Sequence, residues 1–237
     1  MHVRKIEYRD GNVILEATVA SETQQKRPVI LVFHAWAGKD SFAEEKAIEL
    51  ARLGYVGCAV DLYGKGVLGK TEEEKKALMM PFLEDRKLLQ KRILAYRSLL
   101  SQISEANTSQ IGAIGYSFGG LCVLDLARYT EDVKAVVSFY GILSGSSSFS
   151  ECPIRSKVLV FHGFEDHLIS QEDIFIFEKE MTKCQADWQF HVFGGAKHAF
   201  TNPEEKDLST GNLYHPLADC RSWHQMKMFF SEVFPLD

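Results

Sequence analysis

The sequence predicts an α/β fold, a mainly parallel central sheet flanked by helices, in one domain spanning residues 1–237. Three observations point to it. Short apolar runs rich in β-branched residues, such as "PVILVFH" (28–34) and "KVLVFHG" (157–163), suit strands buried on both faces. Segments with helical periodicity alternate with them along the chain. The 237 residues, 46% hydrophobic and 25% charged, provide apolar material for a large core and show neither an internal repeat nor a linker.

In order along the chain, residues 2–9 and 12–20 alternate in polarity around "RDGN", a hairpin-type turn signal. "PVILVFH" is the first buried strand. "KDSFAEEKAIELARLG" follows as a helix. In it Ser41 and Glu44 have capping-box spacing, Ala43, Ala47 and Leu50 form the apolar stripe, and Gly54 stops it. "YVGCAVDLYG" (55–64) is a strand leading into a loop, and the charged segment 71–80, "TEEEKKALMM", is a helix with a solvated face. Leu89, Ile93, Tyr96, Leu100 and Ile103 recur at helical spacing and predict one long helix. Strands are then expected at 111–116, 133–141, 157–163 and 187–193, and helices at 118–130, 171–184 and 216–234. The serine-rich "GILSGSSSFSECP" (141–153) is short enough to be a loop within the domain.

Composition excludes several functions. A formal net charge of −5 leaves no basic footprint for nucleic acid. The first twenty residues are charged and alternating, unlike a signal peptide, and no run approaches the roughly 18 apolar residues of a membrane helix. The cysteines, Cys58, Cys122, Cys152, Cys184 and Cys220, are odd in number, scattered and without a CxxC spacing. They read as free thiols in a reducing cytoplasm. Oligomeric state is not readable.

The chemistry concentrates at strand ends, where open parallel sheets bind ligands. "IGAIGYSFGG" places Ser117 between a strand and a helix with Gly115 and Gly119 flanking it, the G-x-S-x-G pattern of a nucleophile elbow. A serine hydroxyl needs a base, and the elbow fold supplies an acid and then a histidine downstream. "VLVFHGFEDHLIS" offers Glu165, Asp166 and His167 after one strand, and "HVFGGAKHAFTNP" offers His198 after the last. Order and location select Ser117, Asp166 and His198 as a triad. Backbone N–H groups of Phe118, next to the serine, and of Trp36, in "HAWAGKD", are the expected oxyanion donors. His162, His167 and His198 with Asp166 match no zinc-ligand spacing, so neither a metal nor another cofactor is expected. His34 and His191 read as structural.

These segments resemble the dienelactone hydrolase family of α/β-hydrolases. "VFHAWAG", "AVDLYGKG", "IGAIGYSFGG", "VLVFHGFEDHLIS", "FGGAKHAFTNP" and "RSWHQMKMFFSEVF" stand in family order over nearly the whole chain. The resemblance implies an α/β-hydrolase fold without metal or organic cofactor and a small ester or lactone as substrate. Three departures bear on specificity. The founding members carry a cysteine nucleophile where this chain has Ser117, and a glutamate where it has Ala35. Two arginines that hold a substrate carboxylate correspond to Lys65 and Asn202. The implied enzyme is a serine esterase acting on a carboxylic ester, thioester or lactone. An acyltransferase or carbon–carbon hydrolase on the same triad, or a non-catalytic ligand-binding homologue, are the alternatives.

Overall fold

Residues 4–10 alternate in burial because one face of a hairpin strand is covered and the other is wet, whereas residues 17–21 of its second strand are buried on both faces. In the computed structural model, which describes residues 1–145, 153–206 and 211–236, strand β1 (His2–Asp10) pairs antiparallel with β2 (Val13–Ser21) from His2↔Ser21 to Asp10↔Val13. The uninterrupted apolar runs become β3 (Arg27–Phe33) and β4 (Val56–Val60), parallel to each other from Val29↔Val56 to Phe33↔Val60. Together with β5 (Ala106–Tyr116), β6 (Val133–Phe139), β7 (Lys157–Gly163) and β8 (Trp188–Phe193), they form an eight-stranded sheet in the order β1-β2-β4-β3-β5-β6-β7-β8. The described chain divides into two compact units, Met1–Ile114 and Gly115–Asp237, with the division inside β5.

In the first unit β2 pairs antiparallel with β4, as at Thr18↔Ala59. Helix α1 (Ser41–Arg52) buries Ala43, Ala47, Leu50 and Ala51. Its N-cap is Asp40, whose carboxylate accepts from Ala43 N–H, so the capping box expected from Ser41 and Glu44 does not form. Glu44 is engaged elsewhere, accepting from Lys39 Nζ at 2.6 Å and Thr18 Oγ1 at 2.7 Å. A true capping box starts α2 (Glu72–Glu84), between Thr71 and Glu74. The single long helix expected next is two: α3 (Arg86–Leu94) and α4 (Tyr96–Leu100), with Ile103 beyond both. The apolar spacing persists because Leu89, Ile93, Tyr96, Leu100 and Ile103 all face the core. The hydrogen bonds, however, tighten to three-residue closures at Ala95→Arg92 and Ser98→Ala95. Strand β5 starts five residues earlier than the apolar signal, since "ANTSQ" extends it with partly exposed polar residues.

In the second unit β6, β7 and β8 run parallel, from Ala135↔Lys157 and Val158↔Trp188 onward. Helices α5 (Phe118–Tyr129), α6 (Gln171–Lys183) and α7 (Pro216–Val233) accompany them. Helix α5 is buried from Phe118 to Arg128, so its apolar residues run all round it. An aromatic series fills this core: Tyr116 stacks on Phe139 at 4.7 Å, Phe139 meets Phe161 at 5.1 Å, and Phe193 meets Phe200 at 5.6 Å. Buried Arg128 ties α5 to α6 through Glu180 and donates to Leu143 O at 2.8 Å.

Cys58, Cys122 and Cys220 are free thiols, but Cys184 is disulfide-bonded, which corrects the expectation that all five are free. Scattered spacing cannot exclude a single bridge, because pairing depends on positions in space. Cys152 and residues 146–152 of the serine-rich segment lie outside the described residues. Among the described residues no helix is long and apolar enough to cross a membrane.

Candidate active site

Ser117 sits where β5 gives way to α5, with φ 53° and ψ −112°, a left-handed conformation in which a residue with a side chain is strained. Its N–H donates to Phe139 O at 3.0 Å and its carbonyl accepts from Leu121 N–H, so both neighbours hold the turn. The turn is possible because Gly115 has no side chain: a Cβ there would lie 2.0 Å from Gly119 O. The bend lifts the Ser117 hydroxyl out of the strand at the N-terminus of α5, where the first N–H groups have no intrahelical acceptor.

Asp166 follows β7 in a tight turn. Its N–H donates to Gly163 O, and Glu165 N–H donates to Ala196 O. Gly163 allows this close approach, since a Cβ would stand 2.5 Å from Ala196 O. The Asp166 side chain is fully buried, whereas neighbouring Glu165 and His167 are exposed. Its Oδ1 accepts from Leu168 N–H at 2.9 Å, and its Oδ2 lies 2.8 Å from His198 Nδ1. Burial works to raise this carboxyl, but the His198 bond and charge, with the Leu168 N–H, outweigh it and hold the group below the usual carboxylate range.

His198 occupies the loop after β8. Its carbonyl accepts from Leu213 N–H, and Ala199 beside it has φ 58°. On the other side of the ring, His198 Nε2 lies 2.9 Å from Ser117 Oγ. An ionised carboxylate can only accept, so Nδ1 carries the proton and the Nε2 lone pair faces the serine hydroxyl. Carboxylate, imidazole and hydroxyl thus form one continuous hydrogen-bonded chain, able to draw a proton from Ser117 and return it to another atom.

The family model for dienelactone hydrolases matches residues 15–234. This chain belongs to the dienelactone hydrolase family. As a member it is a hydrolase. The solved structure of m3DLH is 34% identical, covers 98% of each chain and superposes with a TM-score of 0.91. A dienelactone hydrolase-like promiscuous phosphotriesterase from metagenomic libraries is 30% identical over 98% of each chain, with a TM-score of 0.92. A protein of Aquifex aeolicus (strain VF5), whose name provisionally assigns it as a carboxymethylenebutenolidase, is 26% identical over 230 residues, covering 95% of this chain and 96% of its own.

The remaining candidates lie in varied settings. Phe118 is the first residue of α5 and fully buried. Trp36 follows β3, its carbonyl accepts from Tyr63 Oη at 3.0 Å, and Lys75 Nζ stands 5.4 Å from its ring. Two positions carry arginines in the founding dienelactone hydrolases. Here Lys65 Nζ is ion-paired with Glu7 and lies 3.7 Å from Glu16, while Asn202 closes a turn by accepting from Glu204 N–H. His34 is buried with both nitrogens engaged, Nδ1 with Ala35 O and Nε2 with Leu62 N–H. His191, on β8, touches Gln189 at 3.3 Å. Sequence reasoning missed Tyr140, whose ring packs beside His198, and Thr201, whose hydroxyl bonds to that of Tyr140. Their only trace is a tyrosine closing a strand and a threonine three residues past the histidine, neither distinctive.

Proposed function

We propose that this chain is a serine hydrolase that cleaves a small carboxylic ester, thioester or lactone through an acyl-enzyme on Ser117. The observation that carries the reading is the Asp166–His198–Ser117 hydrogen-bonded chain, at 2.8 and 2.9 Å, with the serine held in a strained turn at a helix N-terminus. Ser117 Oγ attacks the carbonyl carbon as its proton passes to His198 Nε2. Asp166 keeps the imidazole oriented and balances its positive charge. The oxyanion is held by the Phe118 N–H and, in this reading, by the Trp36 N–H. His198 then gives the proton to the departing alkoxide or thiolate. A water, deprotonated in turn by His198, attacks the acyl carbon, releases the acid and restores the Ser117 hydroxyl. In a lactone the leaving group stays tethered and the product is a hydroxy acid.

The substrate in this reading is neutral near its carbonyl. Lys65 already balances Glu7 and Glu16, and the Asn202 amide is uncharged. Neither offers the bidentate guanidinium fork that grips a carboxylate. Similarity to the promiscuous phosphotriesterase adds activated phosphotriesters as compounds the same serine would attack. The reading also takes residues 1–237 as one domain, because the boundary between the units falls within β5 rather than in a linker. A cytoplasmic location suits the free thiols of Cys58, Cys122 and Cys220, while the Cys184 disulfide argues for an oxidising one; trapping thiols by alkylation at lysis tests it.

A panel of p-nitrophenyl esters, thioesters and lactones, run with Ser117→Ala and with fluorophosphonate labelling, tests the chemistry. The expected result is turnover and labelling that both vanish in Ser117→Ala. A protein that binds such compounds without turnover or labelling would be a ligand-binding homologue instead. Transfer to an added alcohol in preference to water would make it an acyltransferase.

A further inference from the structure

The residue just past β6 does something its sequence does not announce. Tyr140 follows β6 directly and has φ 41°, where a bulky side chain is a genuine outlier. Surrounding contacts keep it there. Its N–H donates to Phe161 O at 2.8 Å, fixing the backbone to the neighbouring strand. Its ring meets His198 edge to face at 5.1 Å and 67°, and Phe200 at 5.1 Å and 73°. Its hydroxyl lies 2.7 Å from Thr201 Oγ1, and both side chains are buried. One residue therefore grips three positions of the histidine loop: 198, 200 and 201. That loop is itself strained at Ala199, next to the histidine. Strain at Tyr140, Ala199 and Ser117 converges on one imidazole ring, the pattern expected where geometry is over-determined for function.

We propose that Tyr140, anchored by Thr201, is a positioning residue that holds the plane of the His198 ring during proton transfer; this rests on the triad reading given above. Two hydrogen bonds, to Asp166 and Ser117, hold the imidazole nitrogens, but the Ser117 bond is given up during the cycle, and the ring can then swing about its Cα–Cβ and Cβ–Cγ bonds. The proton must move from Ser117 Oγ to Nε2 and then to a leaving group lying in another direction, so such a swing misaligns one transfer or the other. A third contact, from the Tyr140 ring, removes that freedom. The Thr201 bond keeps the tyrosine ring and the histidine loop in register.

The test compares Tyr140→Phe, Thr201→Val, their combination, Thr201→Ser and Ser117→Ala on one p-nitrophenyl ester. The kcat of each variant that keeps Ser117 is expressed per active site titrated to completion with a fluorophosphonate, and that of Ser117→Ala per molecule of protein. Tyr140→Phe and Thr201→Val are each expected to lower kcat about 5–30-fold with KM within twofold of the parent, as a small misplacement of a reacting group does. The double variant should be no worse than the poorer single, since both remove one shared contact. Thr201→Ser should keep nearly full kcat. The double variant also leaves neither hydroxyl of this pair orphaned, so it is the one to measure if a single fails to fold. Parental kcat in the double variant, multiplying losses, or a change confined to KM would overturn the proposal. Ser117→Ala separates the two claims: persistent hydrolysis there rejects the triad reading, whereas an inactive Ser117→Ala beside unaffected Tyr140 and Thr201 variants rejects this inference alone.

Discussion

The two units of the chain use left-handed backbone differently. Among the described residues of Met1–Ile114, every residue with strongly positive φ is a glycine: Gly11, Gly38, Gly54, Gly64 and Gly66. Among the described residues of Gly115–Asp237 the glycines with strongly positive φ are Gly195 and Gly211, and Ser117, Tyr140, Gln185 and Ala199 carry side chains into the same region. Glycine reaches this conformation without a steric cost. A chain that needs only to turn uses it, as the first unit does. Where the turning residue must also present a hydroxyl or a ring, glycine is not available and the strain is retained. Three of the four strained residues surround His198; the fourth, Gln185, follows the C-cap of α6.

The comparison can be broken most forcefully at Ser117. Ser117→Ala should lower kcat by roughly 10³–10⁶-fold on any ester the protein turns over, with little loss of thermal stability, because the strain there supports chemistry rather than folding. Asp166→Asn should fall within the same range and Glu165→Gln should stay near the parent value. A reversed order would move the acid to Glu165. An unfolded Ser117→Ala would instead make the elbow serine structural.

The next largest effect separates the buried histidines of the two units. His34 is satisfied on both sides, so His34→Phe leaves Leu62 N–H without its acceptor and should cost about 1–3 kcal/mol. His162 has Nε2 buried without a partner, so His162→Phe should leave the melting temperature nearly unchanged or higher. Burial holds both imidazoles below their ordinary value. The unfolded chain therefore binds protons at these sites more readily than the folded one. Their drag on stability is absent at neutral pH and grows as pH falls below about 6.5, the unfolded value. Asp10, Glu44 and Glu105 act in a lower window. Burial opposes their ionisation, but cationic or hydrogen-bonding partners, Arg92, Lys39 and Arg4 among them, hold each below the usual range. Their contribution is present above the ordinary carboxylate range and is lost as pH falls through the lowered values. Melting temperatures recorded from pH 8 to pH 3 should fall in two stages, the first smaller in His34→Phe or His162→Phe. A flat profile down to pH 4.5 would contradict this.

The smallest effects test whether strain has one meaning or two. Gln185→Gly, at a helix stop, should raise stability by up to about 1 kcal/mol without changing kcat. Ala199→Gly should relieve similar strain but lower kcat several-fold, because it frees the loop that carries His198. Equal kcat in the two variants would mean that the strain at Ala199 serves only the fold.

How far the sequence could be read follows the range of its signals. Strands β3, β4 and β7 were legible because burial on both faces writes an unbroken apolar run. The order Ser117, Asp166, His198 was legible because chain order and strand ends are themselves sequence properties. What escaped depends on one atom reaching another across the fold. Asp40 displaced Ser41 as the cap of α1 because Glu44 was drawn to Lys39 and Thr18. The break at Ala95 changed hydrogen bonding without changing which face is apolar. The Tyr140–Thr201 bond spans 61 positions with no periodicity to betray it, and the Cys184 disulfide has no spacing to suggest it.

The pairing of β2 also bears on how the chain is made. One edge of β2 is satisfied by β1, its immediate predecessor, and a hairpin of this kind closes in microseconds. The other edge needs β4, where Thr18 meets Ala59, and that partner does not exist until synthesis has passed residue 60. At roughly 5–20 residues per second, the nascent hairpin waits seconds with an open row of backbone donors and acceptors along Thr18–Ala20. Any factor that shields a nascent strand edge therefore has an opportunity here, well before the segment carrying Ser117 has been translated.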